Sequence, residues 1–500
     1  MTAKVTINRL TTGVPGLDQV LGGGLPEFSF NMISGQPGCG KTTLAHQIMF
    51  ALATPQRPAL YLTVLGEPPL KMLRYQQQFD FFDSSLVGSA VRFVNLADDT
   101  LTGDLDKVLA RIADEVKAHN PSLVFVDSFR SVMLTNDGNA NAHNALQRFV
   151  QQLGMLMASW QATTFLIGEY FDEMDANPVF TVCDGLIWLR QSVERNSMVR
   201  KIEIMKMRGQ ATLPGLHNFR IGAAGLSVFA PADAQVGPRT AATPRPAGEL
   251  LSMGVPALDA MMGGGLPGGY SLLVAGPSGS GKSTVAASFL AAGAQRGETG
   301  VMAIFEPRPD SLRNPVLTKL VASGRVALVD STAPDLSIDE TVQLLVGEIR
   351  RLKATRVVID SLSSFEMVIA PTFRADFKAS LLRLVTALTR TGASVLMCSE
   401  LEDRYTDLRF SPYGTAFLTD AIIVQRYIEL QSQLRRVMAV VKVRGREHSH
   451  DLREYTIDDA GIQVGGTLPE QEGLLGGRPT RPGGYGGSPA RPRRPGGPEG

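Results

Sequence analysis

Residues 35–43 read GQPGCGKTT, and residues 276–284 read GPSGSGKST. Both fit G-x-x-x-x-G-K-[ST] in full. Each follows a short apolar run, FSFNMISG in one case and YSLLVAG in the other, and each precedes a helical pattern. In that context the motif is a strong signal for a loop that cradles phosphates. Glycines let backbone N–H groups turn inward around phosphate oxygens, and the helix N-terminus adds a favourable partial charge. The reading assigns Gly35, Gly38, Cys39, Gly40, Lys41, Thr42 and Thr43 to one ATP-binding loop. It assigns Gly276, Ser278, Gly279, Ser280, Gly281, Lys282, Ser283 and Thr284 to a second. Lys41 and Lys282 reach the β- and γ-phosphates, while Thr42 and Ser283 hold Mg2+ through their hydroxyls. Cys39 stands where glycine or serine would serve equally. A tolerated small side chain is the simpler reading; its rival is a redox-sensitive thiol, because helix N-termini depress thiol pKa values.

The two loops belong to a tandem repeat. TTGVPGLDQVLGGGLPEFSFNMISGQPGCGKTT aligns without a gap on LSMGVPALDAMMGGGLPGGYSLLVAGPSGSGKST, with 241 residues between Gly35 and Gly276. That period is too long for a solenoid and right for a duplicated domain. Further on, SLVFVDSFRS answers RVVIDSLSS, TTFLIGEY answers SVLMCSEL, CDGLIWLRQ answers TDAIIVQRY, and RKIEIMKMRG answers RRVMAVVKVRG. The expected organisation is a first domain over 1–230, an Ala/Pro-rich linker over 231–249, a second domain over 250–466, and a Gly/Pro/Arg tail over 467–500 that cannot bury a core and is expected to be disordered. Within each half the pattern is strand, glycine loop, helix, strand, helix, strand, helix, strand. Uninterrupted apolar strands alternating with helices predict an α/β fold, a mostly parallel sheet covered by helices on both faces. The last stretches of each half predict antiparallel additions at the sheet edge.

Composition narrows the class. The 500 residues carry 49 basic and 48 acidic side chains, a formal net charge of +1, and 44% hydrophobic residues. Such a balance demands no polyanionic partner. No secretory leader and no apolar run of about 18 residues is visible, so a cytoplasmic protein without a membrane span is expected. Cys39, Cys183 and Cys398 are too few and too scattered for a disulfide framework or a zinc site.

Other residues complete the candidate site. Asp127 and Asp360 end apolar strands and fit a carboxylate that binds magnesium directly or through water. Glu67 in VLGEPP and Glu306 in AIFEPRP are the candidates for orienting the attacking water; Glu169 and Glu400 also stand at strand ends. Solvated loops carry such glutamates too. Lys206 and Arg208 in KMRG, and Lys442 and Arg444 in KVRG, are two residues apart, which in an extended strand puts them on one side. Two cations before a glycine turn make a probe for a neighbour's phosphates, and an arginine in that role raises phosphoryl-transfer rates roughly a thousand- to hundred-thousand-fold.

Together these motifs resemble the RecA-like P-loop ATPases of the KaiC/RadA group in duplicated form, from about Leu10 to Val464. The resemblance implies two tandem RecA-like domains, ATP and Mg2+ as cofactors, and a homohexamer. That assembly would be a double-layered ring with ATP between subunits and Lys206, Arg208, Lys442 and Arg444 acting in trans. Two departures stand out. Where the family carries adjacent glutamates after the second strand, this chain reads Gly66-Glu67 and Phe305-Glu306. Where the family carries an autophosphorylated Ser-Thr pair, counting back from Asp420 gives Ala416 and Phe417, with Ser411, Thr415 and Thr419 nearby as substitute acceptors. The resulting expectation is a hexameric ATPase whose nucleotide state sets ring assembly and the binding of a regulatory partner. The rivals are an autokinase, a DNA-dependent recombinase or helicase, and a scaffold that binds nucleotide without hydrolysing it. The balanced charge, and the lack of an evident basic, aromatic-rich channel, argue against nucleic acid.

Overall fold

The computed structural model describes residues 7–64, 69–100, 104–129, 140–171, 178–194, 197–232, 234, 249–305, 314–330, 336–369, 377–401, 418–430, 432–459 and 461–467. Glu67, Glu306, Ser411, Thr415, Ala416 and Phe417 lie outside the described residues, as do most of the linker and everything from 468 onward. The chain divides into two compact units, one built on each repeat.

In the first unit β1 (Arg9–Leu10) and β2 (Leu25–Pro26) form a small antiparallel pair. The main sheet contains β3 (Phe30–Gly35), β4 (Ala59–Thr63), β5 (Val91–Asn95), β6 (Leu123–Asp127), β7 (Thr163–Glu169), β8 (Gly185–Glu194), β9 (Ser197–Met207), β10 (Leu216–Gly222) and β11 (Gly225–Phe229). Their order is β11-β10-β9-β8-β3-β7-β6-β4-β5. Strands β3 to β8 are parallel, and β9 to β11 add antiparallel at one edge.

The second unit repeats this plan strand for strand. A pair, β12 (Leu250–Leu251) and β13 (Leu266–Pro267), precedes a nine-stranded sheet. That sheet holds β14 (Ser271–Gly276), β15 (Gly300–Ile304), β16 (Val326–Asp330), β17 (Arg356–Asp360), β18 (Ser394–Glu400), β19 (Ala421–Leu430), β20 (Gln433–Val443), β21 (Arg453–Asp458) and β22 (Gly461–Thr467). Read from the antiparallel edge, the order is β22-β21-β20-β19-β14-β18-β17-β15-β16.

Six parallel strands stand in each unit where the sequence pattern predicts four. The edge strand β5 buries only Val91 and exposes Arg92 and Asn95 instead of forming an apolar run, so it reads as loop. β8 follows directly on a five-residue helix and runs into β9 with little turn chemistry.

The pleat sends alternate side chains to opposite faces, and helices cover both. On one face Leu44, Ile48 and Met49 of helix α1 (Lys41–Leu52) pack with Ile33, Tyr61, Phe125, Phe165 and Leu189. On the other, Val108, Ile112 and Val116 of α2 (Leu105–His119), with Phe149 and Leu153 of α3 (Ala140–Ser159), pack on Met32, Leu60, Val124 and Leu166. In the second unit Val285 and Phe289 of α4 (Lys282–Gln295) cover Val274, Met302, Val358 and Leu396. No described helix is long and apolar enough to cross a membrane.

Two buried polar groups mark where the units differ. His46 of α1 has no exposed surface and lies 4.6 Å from the Tyr61 ring, centroid to centroid. Burial lowers its pKa from 6.5 to about 4. In the second unit Arg356, at the start of β17, is 1% exposed. Its Nε donates to Glu298 Oε2 at 2.8 Å, its Nη1 donates to Ser252 O and Phe289 O, and its guanidinium lies over the Phe289 ring. Leu123 holds the same register position in the first unit.

Both differences have measurable consequences. Between about pH 4 and 6.5 the unfolded chain protonates His46 while the folded chain does not, so stability falls as pH drops through that window, by about 3 kcal/mol in full. His46→Phe should flatten the decline of the first unit's Tm between pH 6.5 and 4; an unchanged slope would assign it to other groups. Arg356→Ala leaves Glu298 without its buried partner and should cost about 3–5 kcal/mol in urea unfolding. The Arg356→Leu/Glu298→Gln double variant should recover most of that loss.

Candidate functional site

Each glycine loop leaves the carboxyl end of the central strand of its sheet, β3 or β14, and enters a helix. The helix is capped by a glycine in the left-handed region, Gly40 at φ 105° and Gly281 at φ 96°. Neither cap supplies a side-chain hydrogen bond, so the first N–H groups of α1 and α4 point into the loop. A β-carbon at Gly40 would lie 2.7 Å from Ile221 Cδ1, and one at Gly281 would lie 2.5 Å from Ile457 Cδ1. Both loops curl around their lysine. Lys41 Nζ donates to Gln36 O at 2.8 Å, and Lys282 Nζ donates to Gly276 O at 2.9 Å and Pro277 O at 2.8 Å. Lys41 also lies 3.9 Å from Glu169 Oε1. Strand register explains that contact, because Gly35 pairs with Glu169 and Gly276 with Glu400.

The variable residue inside each loop matches its neighbour. Cys39 is fully buried and belongs to the apolar cluster that includes Leu189, the residue paired with Gly35. In the second unit Ser280 Oγ donates to Gln425 Oε1 at 3.1 Å, and the Ser280 carbonyl accepts from the Tyr455 hydroxyl. Burial pushes the Cys39 thiol up despite Lys41 beside it, the opposite of an activated thiolate. The tip of each loop is held from the strand beyond, by Gln191 Nε2 to Pro37 O at 3.1 Å and by Tyr427 OH to Ser278 O at 3.5 Å.

Asp127 ends β6 directly opposite Thr63 of β4, and Asp360 ends β17 opposite Ile304 of β15. Both are followed by a cis peptide bond to serine. Thr42 Oγ1 donates to Asp127 Oδ2 at 2.8 Å, so the hydroxyl and carboxylate expected to share a metal do meet. Tyr61 OH donates to the same oxygen at 2.7 Å. Burial pushes the Asp127 carboxyl up, against the pull of the two hydroxyls and Lys41. An all-oxygen pair of one hydroxyl and one carboxylate at the rim of a phosphate loop suits a hard ion such as Mg2+, which keeps its remaining positions for phosphate and water. In the second unit burial, with the Asp360 carboxylate beside it, pushes the Cys398 thiol up. Sequence reasoning passes over Tyr61 and Cys398. The available signal was a side chain with a polar handle inside an otherwise apolar strand, ALYLT or SVLMC.

The Lys–Arg pairs fall at the other end of the sheet. Lys206 pairs with Leu186 and Met207 with Gly185, where β8 begins, and a bulge separates them from the rest of the ladder. Lys442 pairs with Ile422 next to an equivalent bulge. Arg208 and Arg444 follow the strand ends and pair with Asp184 at 3.0 Å and Asp420 at 3.1 Å. The second oxygens of those aspartates accept from Phe30 N and Ser271 N, at the starts of β3 and β14. Lys206 Nζ donates to Thr181 O at 3.1 Å, and Lys442 Nζ donates to Thr419 O at 2.7 Å. By register Arg208 and Arg444 thus stand about 17 Å, five strand rises, from the loop of their own unit, and Lys206 and Lys442 about 10 Å, three rises.

The remaining candidates divide. Counted from Thr63 and Ile304, Glu67 lies four residues on and Glu306 two, so the acids do not occupy the same place after their strands. Of the substitute hydroxyls, Thr419 is described and is 1% exposed.

This geometry agrees with what the chain is similar to. The family model for the KaiC ATPase matches residues 10–233 and again residues 251–468. A circadian clock oscillator protein KaiC from Picosynechococcus sp. is 27% identical over 490 residues, covering 95% of this chain and 93% of the relative. Its namesake from Thermostichus vulcanus is 26% identical over 494 residues, covering 96% and 93%. The circadian clock oscillator protein KaiC 1 of Synechocystis sp. is 25% identical over 490 residues, covering 95% and 92%. Since the family model takes in both loops, both strand-end aspartates and both Lys–Arg turns, the chain belongs to the KaiC ATPase family, as a tandem pair of RecA-like domains.

Proposed function

We propose that this protein is an ATP-hydrolysing, Mg2+-dependent homohexamer. Its two domains, 1–230 and 250–466, each form one ring with ATP bound between neighbouring subunits. The observation that carries this reading is the separation in each unit between the phosphate loop at one end of β3 or β14 and the Lys–Arg pair at the other. An arginine about 17 Å from its own loop, held by an aspartate at the far end of the sheet, does not reach its own γ-phosphate. In a head-to-tail ring it faces the loop of the next copy, and a heterologous contact of that kind closes into a ring.

Within each site the loop amides and Lys41 or Lys282 hold the phosphates. Thr42 with Asp127, and Ser283 with Asp360, hold the metal. Bound there, Mg2+ would supply charge neutralisation to the phosphates. Glu67 and Glu306 orient the attacking water, and Lys206, Arg208, Lys442 and Arg444 stabilise the charge that develops on the neighbour's γ-phosphate. A regulatory partner that senses the nucleotide state belongs to the same reading. The 231–249 segment acts as the linker and the tail from 467 as a solubilising extension, in a cytoplasmic protein without a nucleic-acid partner. Ala416 and Phe417, without hydroxyls at the family's phosphorylation pair, and the buried Thr419 favour ATP hydrolysis over autophosphorylation.

Light scattering with and without ATP and Mg2+, with phosphate release followed in parallel, tests this on wild type, Lys41→Ala and Lys282→Ala. Hexamers should form only with nucleotide, and each lysine change should abolish one share of assembly or turnover. A protein that stays monomeric and releases no phosphate overturns the ring. The trans arrangement has its own test. Arg208→Ala or Arg444→Ala should lower turnover at least tenfold while single-chain nucleotide affinity holds. Mixing Arg208→Ala with Lys41→Ala protein should restore activity at the junctions that pair an intact loop with an intact arginine; no recovery in any mixture counts against action in trans.

A further inference from the structure

The first unit sets its strand-end carboxylate with a device that the second does not share. Tyr61 lies in the middle of β4, opposite Phe125 of β6, while Thr63 lies opposite Asp127. Residues two apart share a face of the sheet, so the tyrosine ring runs along β6 and its hydroxyl meets Asp127 Oδ2 at 2.7 Å. Thr42 donates to that same oxygen at 2.8 Å. Two donors on one oxygen prevent the carboxylate from turning, and Oδ1 has no hydrogen bond among the described residues. The ring is itself locked. It is fully buried, with His46 at 4.6 Å, Phe93 at 5.4 Å and Phe125 stacked at 5.9 Å. A buried tyrosine hydroxyl needs a partner, and here the partner is the group that faces the metal.

At the same register in β15 stands Met302, which has no donor. On the opposite neighbouring strand Cys398 stands where the first unit has Ile167.

We propose that Tyr61 is the positioning residue for the metal of the first nucleotide site: it holds Asp127 in one orientation and so tightens that site's hold on Mg2+. The inference rests on the reading that Asp127 is a metal carboxylate. Groups that orient a ligand in this way commonly change metal affinity by about 10–100-fold when removed.

The test uses the full chain carrying Lys282→Ala, so that only the first loop reports. Binding of a fluorescent, non-hydrolysable ATP analogue is titrated with Mg2+, and Mn2+ binding in its presence is followed by electron paramagnetic resonance. Tyr61→Phe should raise the metal concentration for half-maximal binding about 10–100-fold, with affinity for the analogue in EDTA unchanged. An unchanged metal requirement overturns the proposal, as does a loss of affinity in EDTA equal to the loss in Mg2+. Asp127→Asn separates the two layers: if it leaves the metal requirement unaltered, the metal assignment of Asp127 is what fails. Should Tyr61→Phe not fold, the Tyr61→Met/Ile167→Cys double variant carries the test by giving the first site the second unit's arrangement. Its metal requirement should likewise rise about 10–100-fold. A requirement that stays at the value of the unaltered first site overturns the proposal.

Discussion

A strand that is buried on both faces and paired on both edges has only its two ends left for chemistry, and the two central strands of this protein are in that position. β3 lies between β7 and β8, and β14 between β18 and β19, all parallel and in register. Parallel pairing brings the carboxyl ends of neighbouring strands to one edge of the sheet, where ligands bind in open α/β folds. That single constraint sets the glycine loop beside Glu169 or Glu400 and within reach of a strand-end aspartate. The same constraint sends the first antiparallel strand, β9 or β20, back to the opposite edge, so the Lys–Arg turn ends at the other end of the sheet from its own loop.

Within that common frame the units use different chemistry at equivalent places. Cys39 packs against apolar neighbours where Ser280 hydrogen-bonds to Gln425. Leu123 begins β6 where a buried Arg356 begins β17, with Glu298 and two carbonyls accepting its protons. His46 and Tyr61 fill the space beneath the first loop with an aromatic group whose polar atoms face inward. In the second, Ala287 stands at the 241-residue offset from His46, and Met302 at the register of Tyr61. The exchange of Tyr61 for Met302 reaches the strand-end aspartate, because the tyrosine hydroxyl donates to it in the first unit.

Local motifs carry their own physics and were therefore readable from residues alone. The two loops, the duplication, the strand-end aspartates and the Lys–Arg turns each announce themselves within ten residues, because a glycine that must adopt positive φ or a lysine that must follow a strand leaves a short, dense trace. The edge strand β5 left none, since a half-exposed strand lacks an apolar run. The hydroxyl of Tyr61 left only a faint one, since its partner is 66 residues away.

What the sequence by itself determined is the chemical inventory: phosphate loops, strand-end carboxylates and cations, twice over, on alternating strands and helices. What only the tertiary structure decided is which of these meet. Thr42 and Tyr61 converge on one oxygen of Asp127, and Cys398 lies beside Asp360, while Arg208 and Arg444 turn to aspartates at the far end of their sheets. The reason is that strand order and register arise from packing a whole sheet between two layers of helices. Such a choice is made over hundreds of residues, and no short stretch of the chain records it.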